Sequence, residues 1–200
     1  RGESVYFASL EQPSIDLAER LLACEAPVDS WKLRKGVHDG NESMRVTTAA
    51  ASLRGWPVLI DQAPRQSVLR IAAGARRMKR RQGLALVVVD YLGLIEPEDR
   101  RVPRHEQVAA ISRRLKGLAR EVNVPVLCLA QLNRNVENRG KDERPKLSDL
   151  RDSGSQEQDA DAVLLLHRRP DPEGVSQPAN APALIEVILA KQRNGPIGEV

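Results

Sequence analysis

The sequence predicts an α/β fold in which helices flank a mostly parallel sheet, and two patterns support this prediction. Short aliphatic runs alternate with amphipathic helical segments, an order that is typical of parallel sheets with right-handed crossovers. The second, third and fourth aliphatic runs (57–60, 84–89 and 124–130) also lack the alternating polar face of an antiparallel strand, which favours parallel strands covered on both sides. Because aromatic residues make up only 2% of the 200 residues, the core is expected to be aliphatic.

Six apolar runs are predicted to be strands. They are SVYFAS (4–9), PVLI (57–60), LALVVV (84–89), VPVLCLA (124–130), AVLLLH (162–167) and ALIEVILA (183–190). The last two are joined by a loop rich in proline and glycine instead of a helix. They are therefore expected to form an antiparallel pair that finishes the sheet.

Three segments place apolar residues at helical spacing. They are SIDLAERLLACE (14–25), SVLRIAAGARRMKRR (67–81) and HEQVAAISRRLKGLAREV (105–122). The predicted apolar stripes are Ile15, Leu17, Ala18, Leu21 and Leu22 in the first, Val68, Ile71, Ala72, Ala75 and Met78 in the second, and Val108, Ile111, Leu115 and Leu118 in the third. The stretch from Arg65 to Arg81 carries seven cations and no acid. These cations lie off the apolar stripe, so a solvated outer face explains them better than a nucleic-acid surface. No repeat or domain boundary is visible, which predicts a single domain over residues 1–200.

The composition excludes several classes of protein. The formal charge of +4 is too small to indicate a polyanion partner by itself. Cys24 and Cys128 lie in apolar settings and are predicted to be buried free thiols. Neither has the spacing of a metal ligand and the histidines are scattered, so no zinc site is expected. No run approaches the length of a membrane span, so the chain is expected to be cytoplasmic, without a membrane partner.

Polar residues follow most of the predicted strands. They are Glu11, Asp61, Asp90, Gln131, and Lys191 with Arg193. Ligands of open parallel sheets collect at the carboxyl ends of the strands, so these side chains are the candidates for a site. Asp90 ends the run LVVVD, which has the form of a Walker B motif, and a carboxylate there can hold the water shell of Mg²⁺ beside nucleotide phosphates. The alternative is an ordinary helix cap or loop residue.

Five segments together resemble a known family. SVYFASLEQ, VVVDYLGLI, VPVLCLAQLNRNVE, LSDLRDSGSQEQDADAVLLL and AKQRNGPIGEV occur in this order. They resemble the C-terminal, RecA-like motor domain of DnaB-type replicative DNA helicases over essentially the whole chain. The resemblance implies a RecA-like P-loop NTPase core that uses ATP and Mg²⁺ and assembles as a homo-hexamer. It also implies 5′ to 3′ translocation on single-stranded DNA, with primase and a helicase loader as candidate partners.

The resemblance assigns roles to five residues. Glu11 matches the catalytic glutamate, and Asp90 matches the acid associated with Mg²⁺. Gln131 matches the residue that detects the γ-phosphate through its amide. Arg193 and Lys191 match the arginine finger and its companion lysine, which act on the nucleotide of a neighbouring subunit. The alternative for Glu11 is an acid that caps a helix, and the alternative for Gln131 is a polar residue that merely ends a strand. Lys191 and Arg193 are alternatively two surface cations on a hairpin turn.

DLRDSGS resembles the loop that holds single-stranded DNA in this family. The resemblance implies that Arg151 contacts a DNA phosphate and that Asp152 and Gly154 belong to the same DNA-binding segment. Gly154 would allow the main chain to approach the DNA closely. The segment 149–161 nevertheless carries five acids and one arginine, so these acids are alternatively expected to cap a following helical turn or to pair with arginines. DRRVPRH (99–105) is a second candidate channel loop.

Some features depart from the family pattern. The family commonly has Met, Gln and Glu where this chain has Gln12, Gly93 and Asp152. The phosphate-binding sequence G-x-x-x-x-G-K-[ST] (Walker A) and the N-terminal collar domain are absent, and the chain begins RGESVYFASL without an initiator methionine. The chain is therefore expected to be truncated at its N-terminus and, alone, neither to hydrolyse ATP efficiently nor to form a stable ring.

Two other functions stay open on the sequence. One is a RecA-like ATPase without unwinding activity, such as a recombinase or loader, although KQRNG together with EQDAD argues against it. The other is a non-enzymatic, truncated relic that binds DNA or a helicase ring.

Overall fold

A computed structural model describes residues 2–133, 144–150, 154–169 and 184–199. It confirms the predicted α/β class. The helices and strands within these ranges are, in order, β1 (Val5–Ser9), α1 (Ser14–Glu25), α2 (Ser30–Lys35), α3 (Gly40–Arg54), β2 (Val58–Asp61), α4 (Val68–Gln82), β3 (Leu86–Asp90), α5 (Arg104–Val122), β4 (Val126–Cys128), α6 (Gly154–Asp159), β5 (Ala162–Arg168), β6 (Ile185–Gln192) and β7 (Gly198–Glu199). None of the helices in the described ranges has the length and apolar character that crossing a bilayer requires.

The chain divides into two compact units, and the first contains the parallel sheet. This unit comprises Arg1–Glu96 and Gly117–Leu129. Its four strands run parallel in the order β2-β1-β3-β4. Val87 and Val89 of β3 are fully buried and Val88 is nearly so, which confirms that the non-alternating run forms a strand covered on both faces.

Helical periodicity predicted two of the buried helix faces. All five residues of the α4 stripe are buried, namely Val68, Ile71, Ala72, Ala75 and Met78. The predicted α5 stripe is also buried, through Val108, Ile111, Leu115 and Leu118. The cations of α4 lie off its stripe, as expected of an amphipathic helix.

The second unit contains the antiparallel strands. It comprises Pro97–Lys116 and Ala130–Val200. The expected antiparallel pair of β5 and β6 is confirmed. It does not finish the parallel sheet, however, but forms a three-stranded sheet in the order β5-β6-β7. Because β6 pairs with β5 on one edge and with β7 on the other, both of its edges are already used. The single-domain organisation stays a prediction.

The region after β1 differs from the sequence expectation. The pattern predicted α1 with matching bounds, but α1 buries none of its residues, and Ile15 is 62% exposed. The helices α2 and α3 were not predicted. The start of α3 follows from a capping box, since Asp39 accepts the N–H of Glu42 at 2.7 Å and Glu42 accepts the N–H of Asp39 at 3.0 Å.

Gly74 of α4 makes room for the aromatic ring of Tyr6 from β1. A Cβ atom at Gly74 would collide with the Tyr6 hydroxyl oxygen and lie 2.6 Å from Cζ. Tyr6 is 1% exposed, and its hydroxyl donates to Asp61 Oδ2 at 2.8 Å. The ring is therefore held in place and cannot move aside without losing a buried hydrogen bond.

Replacing Gly74 with alanine is expected to destabilise the protein by about 1–3 kcal/mol, because the added methyl group overpacks a filled site. Gly117→Ala provides the matched control. Gly117 also lies inside a helix, but nothing lies within 4 Å of its added Cβ, so the higher helix propensity of alanine should stabilise α5 by up to about 1 kcal/mol. Urea unfolding midpoints check both values. Equal shifts for the two variants would contradict the close packing at Tyr6.

The two cysteines are free thiols but differ in their surroundings. Cys24 is exposed, so the expectation of two buried thiols is wrong there, because α1 buries no residue. Cys128 of β4 is half-buried. Desolvation of its thiol, together with repulsion of the thiolate by the nearby Asp90 carboxylate, raises the pKa of Cys128 to about 12.

Iodoacetamide at neutral pH should therefore modify Cys24 well before Cys128. The thiolate is the reactive form, and a raised pKa keeps its population small until the pH approaches 12. Peptide mass spectrometry after timed labelling measures the two rates, and labelling in urea provides the control in which both cysteines react. Equal labelling rates in the folded protein would show that the Cys128 thiol is not desolvated.

Candidate functional site

The parallel strands of the first unit end along one edge of their sheet. β2 ends at Asp61, β1 at Ser9 and β3 at Asp90. The register places Ala8 beside Asp61 and Ser9 beside Asp90. Because the three strands end within one residue of the same level, the residues that follow them share the edge at which open parallel sheets bind ligands.

Glu11 and Asp90 are brought together at this edge. The N–H of Leu10 donates to the Asp90 carbonyl oxygen at 2.7 Å, so Glu11 directly follows a residue that is bonded to Asp90. Glu11 is exposed, and Asp90 is partly exposed. Among the described residues, neither carboxylate has a hydrogen-bond or ion-pair partner. Two such carboxylates can hold metal-bound water or accept the proton of a water molecule.

Asp61, the third acid at this edge, is engaged by the fold. Its carboxylate accepts the Tyr6 hydroxyl at 2.8 Å, the Ala63 N–H at 3.1 Å and the Gln66 side-chain amide at 3.3 Å. Burial and, next, the bond to Asp61 raise the pKa of Tyr6 well above its ordinary value, so its hydroxyl keeps its proton. Asp61 is thus a structural acid. No sequence pattern singled out Tyr6 or the fully buried Gln66.

Gln131 lies in the second unit. It is exposed and precedes Leu132, which forms an isolated antiparallel bridge with Leu150. The side chain is available to a ligand, but its convergence with Glu11 and Asp90 stays a prediction.

Lys191 and Arg193 are brought together at the end of β6, against the C-terminal end of α6. The Lys191 ammonium group donates to the carbonyl oxygen of Glu157, and the Arg193 guanidinium donates to that of Gln158. Arg193 Nη1 also lies 3.7 Å from the Asp161 carboxylate. Cations at a helix C-terminus are favoured by the unpaired carbonyl groups there.

The predicted DNA loop is only partly within the described residues. Arg151 and Asp152 lie outside them, whereas Gly154 is exposed and begins α6. The alternative that acids of this segment pair with arginines is supported at Asp161, which lies 3.7 Å from Arg193 Nη1. Asp149 is 1% exposed and accepts the N–H of Lys146, which precedes it, at 2.8 Å, so it does not cap a following helical turn through that bond.

The donors at the sheet edge fit a magnesium ion. Within the described ranges, no group of three or more His, Cys, Asp or Glu side chains is placed to hold a metal. Mg²⁺ at a nucleotide site needs no such group, because it commonly takes one or two carboxylates and completes its shell with phosphates and water. Asp90 is a hard oxygen donor without a described protein partner and would hold such an ion.

The whole chain matches known proteins. Residues 1–200 match the family described as DnaB-like helicase C terminal domain. The Replicative DNA helicase DnaB of Geobacillus stearothermophilus is 43% identical over 200 residues, which cover 100% of this chain and 43% of the relative. The Replicative DNA helicase DnaC of Bacillus subtilis is 42% identical over 199 residues, with coverages of 99% and 43%. The chain thus spans less than half the length of these relatives.

Two solved structures share the fold. A structure described as a DnaB-like replicative helicase and its interactions with primase has a TM-score of 0.90 at 36% identity and covers 99% of this chain and 47% of that one. The ATPase domain of G40P has a TM-score of 0.89 at 36% identity, with coverages of 99% and 70%. The expected RecA-like fold class is thereby confirmed. With a match over every residue, a carboxylate at the end of β3 and another two residues beyond β1, this chain belongs to the family of DnaB-like helicase C-terminal domains.

Proposed function

We propose that this chain is the motor domain of an ATP-dependent replicative DNA helicase that acts as a homo-hexameric ring. The relatives are named replicative DNA helicases. The observation that carries the proposal is the pair of carboxylates, Glu11 and Asp90, which the Leu10–Asp90 hydrogen bond holds at adjacent strand ends. Since the chain covers 43% of those relatives, the activity of the whole protein is part of the proposal.

The chemistry follows from the placement of the two acids. Asp90 would hold Mg²⁺ through water, and the ion, when bound, supplies positive charge beside the phosphates. Glu11 orients the water that attacks the γ-phosphate and accepts its proton. Gln131 reports the presence of the γ-phosphate through its side-chain amide.

Arg193 and Lys191 act on the nucleotide of a neighbouring subunit. Phosphoryl transfer spreads negative charge over the γ-phosphate oxygens, and a planar guanidinium stabilises that charge. Within its own chain Arg193 donates to a carbonyl oxygen and lies 3.7 Å from the nearest carboxylate oxygen that pairs with it. An exposed cation held in this way can exchange these partners for a triphosphate, which bonds more strongly to a charged donor.

The proposal extends to the polymer and the partners. Arg151, Asp152 and Gly154 form the segment that contacts the backbone of single-stranded DNA, and the ring moves 5′ to 3′ along the strand in its channel. One similar structure is described with primase, which makes primase a proposed partner, together with a helicase loader. The cytoplasm is the proposed location.

Strand displacement by the complete protein that contains this chain tests the proposal. A forked duplex with a 5′ single-stranded tail should be unwound in the presence of ATP and Mg²⁺. Glu11→Gln should abolish unwinding and lower ATP hydrolysis by about 10² to 10⁴-fold, because the amide cannot accept the proton of the water. Binding of a fluorescent ATP analogue should persist.

Glu3→Gln is the matched control, because Glu3 is an exposed acid just before β1, at the end of the strand opposite to Glu11. It should hydrolyse ATP at the wild-type rate. ATP hydrolysis without strand displacement by the wild-type protein would instead favour a RecA-like ATPase that does not unwind DNA. Full hydrolysis by Glu11→Gln would refute the catalytic assignment.

Arg193→Ala should lower ATP hydrolysis by about 10³ to 10⁵-fold in the complete protein, since it removes the charge that stabilises transfer in the next subunit. Mixing it with Glu11→Gln subunits should restore part of the activity, because some interfaces then combine an intact Glu11 with an intact Arg193. Arg81→Ala, an exposed arginine at the end of α4, serves as the control. No recovery under conditions of proven subunit exchange would count against action across the interface.

A further inference from the structure

Glu11 lies on a short connection instead of a strand or helix. β1 ends at Ser9 and α1 begins at Ser14, so Glu11 belongs to the four residues between them. Connections are generally more mobile than the elements they join, whereas a group that polarises one water molecule must be held to within about 0.5 Å. Some interaction must therefore hold this connection.

Two side-chain hydrogen bonds enclose Glu11, one on each side. The Ser9 hydroxyl donates to the Gln12 carbonyl oxygen at 2.6 Å and so closes the turn that contains Glu11. Ser9 is 2% exposed, and little water is available to replace this donor. On the other side, the N–H of Ser14 donates to the side-chain oxygen of Gln62, on the connection that follows β2.

The bond from Gln62 compensates for a missing helix cap. The N-cap of α1 is Pro13, which offers no side-chain acceptor for the first N–H groups of the helix. Gln62 supplies that acceptor from another segment and thereby ties the start of α1 to the end of β2. The connection between β1 and α1, which contains Glu11, is then attached to the parallel sheet at both of its ends.

Gln62 directly follows the structural acid Asp61. The adjacent Asp61 is held by Tyr6, and the side chain of Gln66 donates to the Asp61 carbonyl oxygen at 3.0 Å. The connection after β2 is thus anchored to buried groups immediately before Gln62.

We propose that Ser9 and Gln62 are positioning residues for Glu11: they act through the backbone on either side of the catalytic carboxylate and touch no substrate. The proposal rests on the function proposed above, in which Glu11 orients the attacking water. It predicts that loss of either bond slows the chemical step without weakening ATP binding.

The test uses the complete protein and two substitutions at Gln62. Gln62→Met removes the acceptor at similar length and should lower kcat about tenfold, while KM and the Kd of a fluorescent ATP analogue change by less than about twofold. Gln62→Glu keeps an oxygen acceptor and should retain kcat to within about twofold. Because Gln62 is exposed, neither substitution is expected to prevent folding.

Ser9→Ala should likewise lower kcat about tenfold. Its control is Ser4→Ala, the same change at another buried serine, 8% exposed, just before β1 at the opposite end of that strand. Adding Ser9→Ala to Glu11→Gln should cause no further loss, because two residues that act as one unit are not additive. A merely structural role of Ser9 would lower the melting temperature and ATP affinity as well.

The outcomes separate the two proposals. Wild-type kcat in Gln62→Met, a raised KM with unchanged kcat, or equal losses in Gln62→Met and Gln62→Glu would overturn the positioning role. If Glu11→Gln abolishes hydrolysis in the same experiments, the proposed function stands despite that result. If Glu11→Gln retains hydrolysis, the proposed function itself fails. Since the Gln62 pair decides the question, the positioning role stays testable even if Ser9→Ala does not fold.

Discussion

The candidate site depends on the parallel pairing of β1 with β3, which ends in the hydrogen bond from the Leu10 N–H to the Asp90 carbonyl oxygen. This bond joins main-chain groups and is therefore independent of the side chain at position 10. It brings two acids from distant parts of the sequence to one sheet edge. The buried valines of β3 hold that ladder in place, so hydrophobic burial in the interior determines where two hydrophilic groups meet.

Equivalent positions at this edge serve different purposes. Asp61 and Asp90 both end apolar strands, but Asp61 accepts hydrogen bonds from Tyr6 and Gln66, whereas the Asp90 carboxylate has no described protein partner. A carboxylate that is already bonded to protein donors is held as part of the scaffold. One without such partners is available to a metal ion or water. Whether a carboxylate at a strand end is already bonded to protein donors is therefore decided by neighbouring side chains, not by its position at the strand end.

The success of the sequence predictions varied with how much of each element is buried. The stripes of α4 and α5 were predicted correctly because those faces are buried, and burial imposes an apolar period on a helix. For α1 the same pattern predicted the bounds of the helix correctly, but its apolar stripe is not buried, since α1 buries none of its residues. α3 was missed because the capping box at Asp39 defines its start while only Ala49 of its 15 residues is buried. The antiparallel strands were identified, but their separation from the parallel sheet was not.

By itself the sequence determined the order of the first six strands along the chain, the buried faces of α4 and α5, and the family, through motifs such as SLEQ, LVVVD and KQRNG. Those features depend on local spacing and on residue type. Only the tertiary structure decided that Leu10, next to Glu11, is bonded to Asp90, that Asp61 accepts the Tyr6 hydroxyl, and that Gln62 caps α1. Each of these contacts joins residues far apart in sequence, and no local periodicity records which distant donor meets which acceptor.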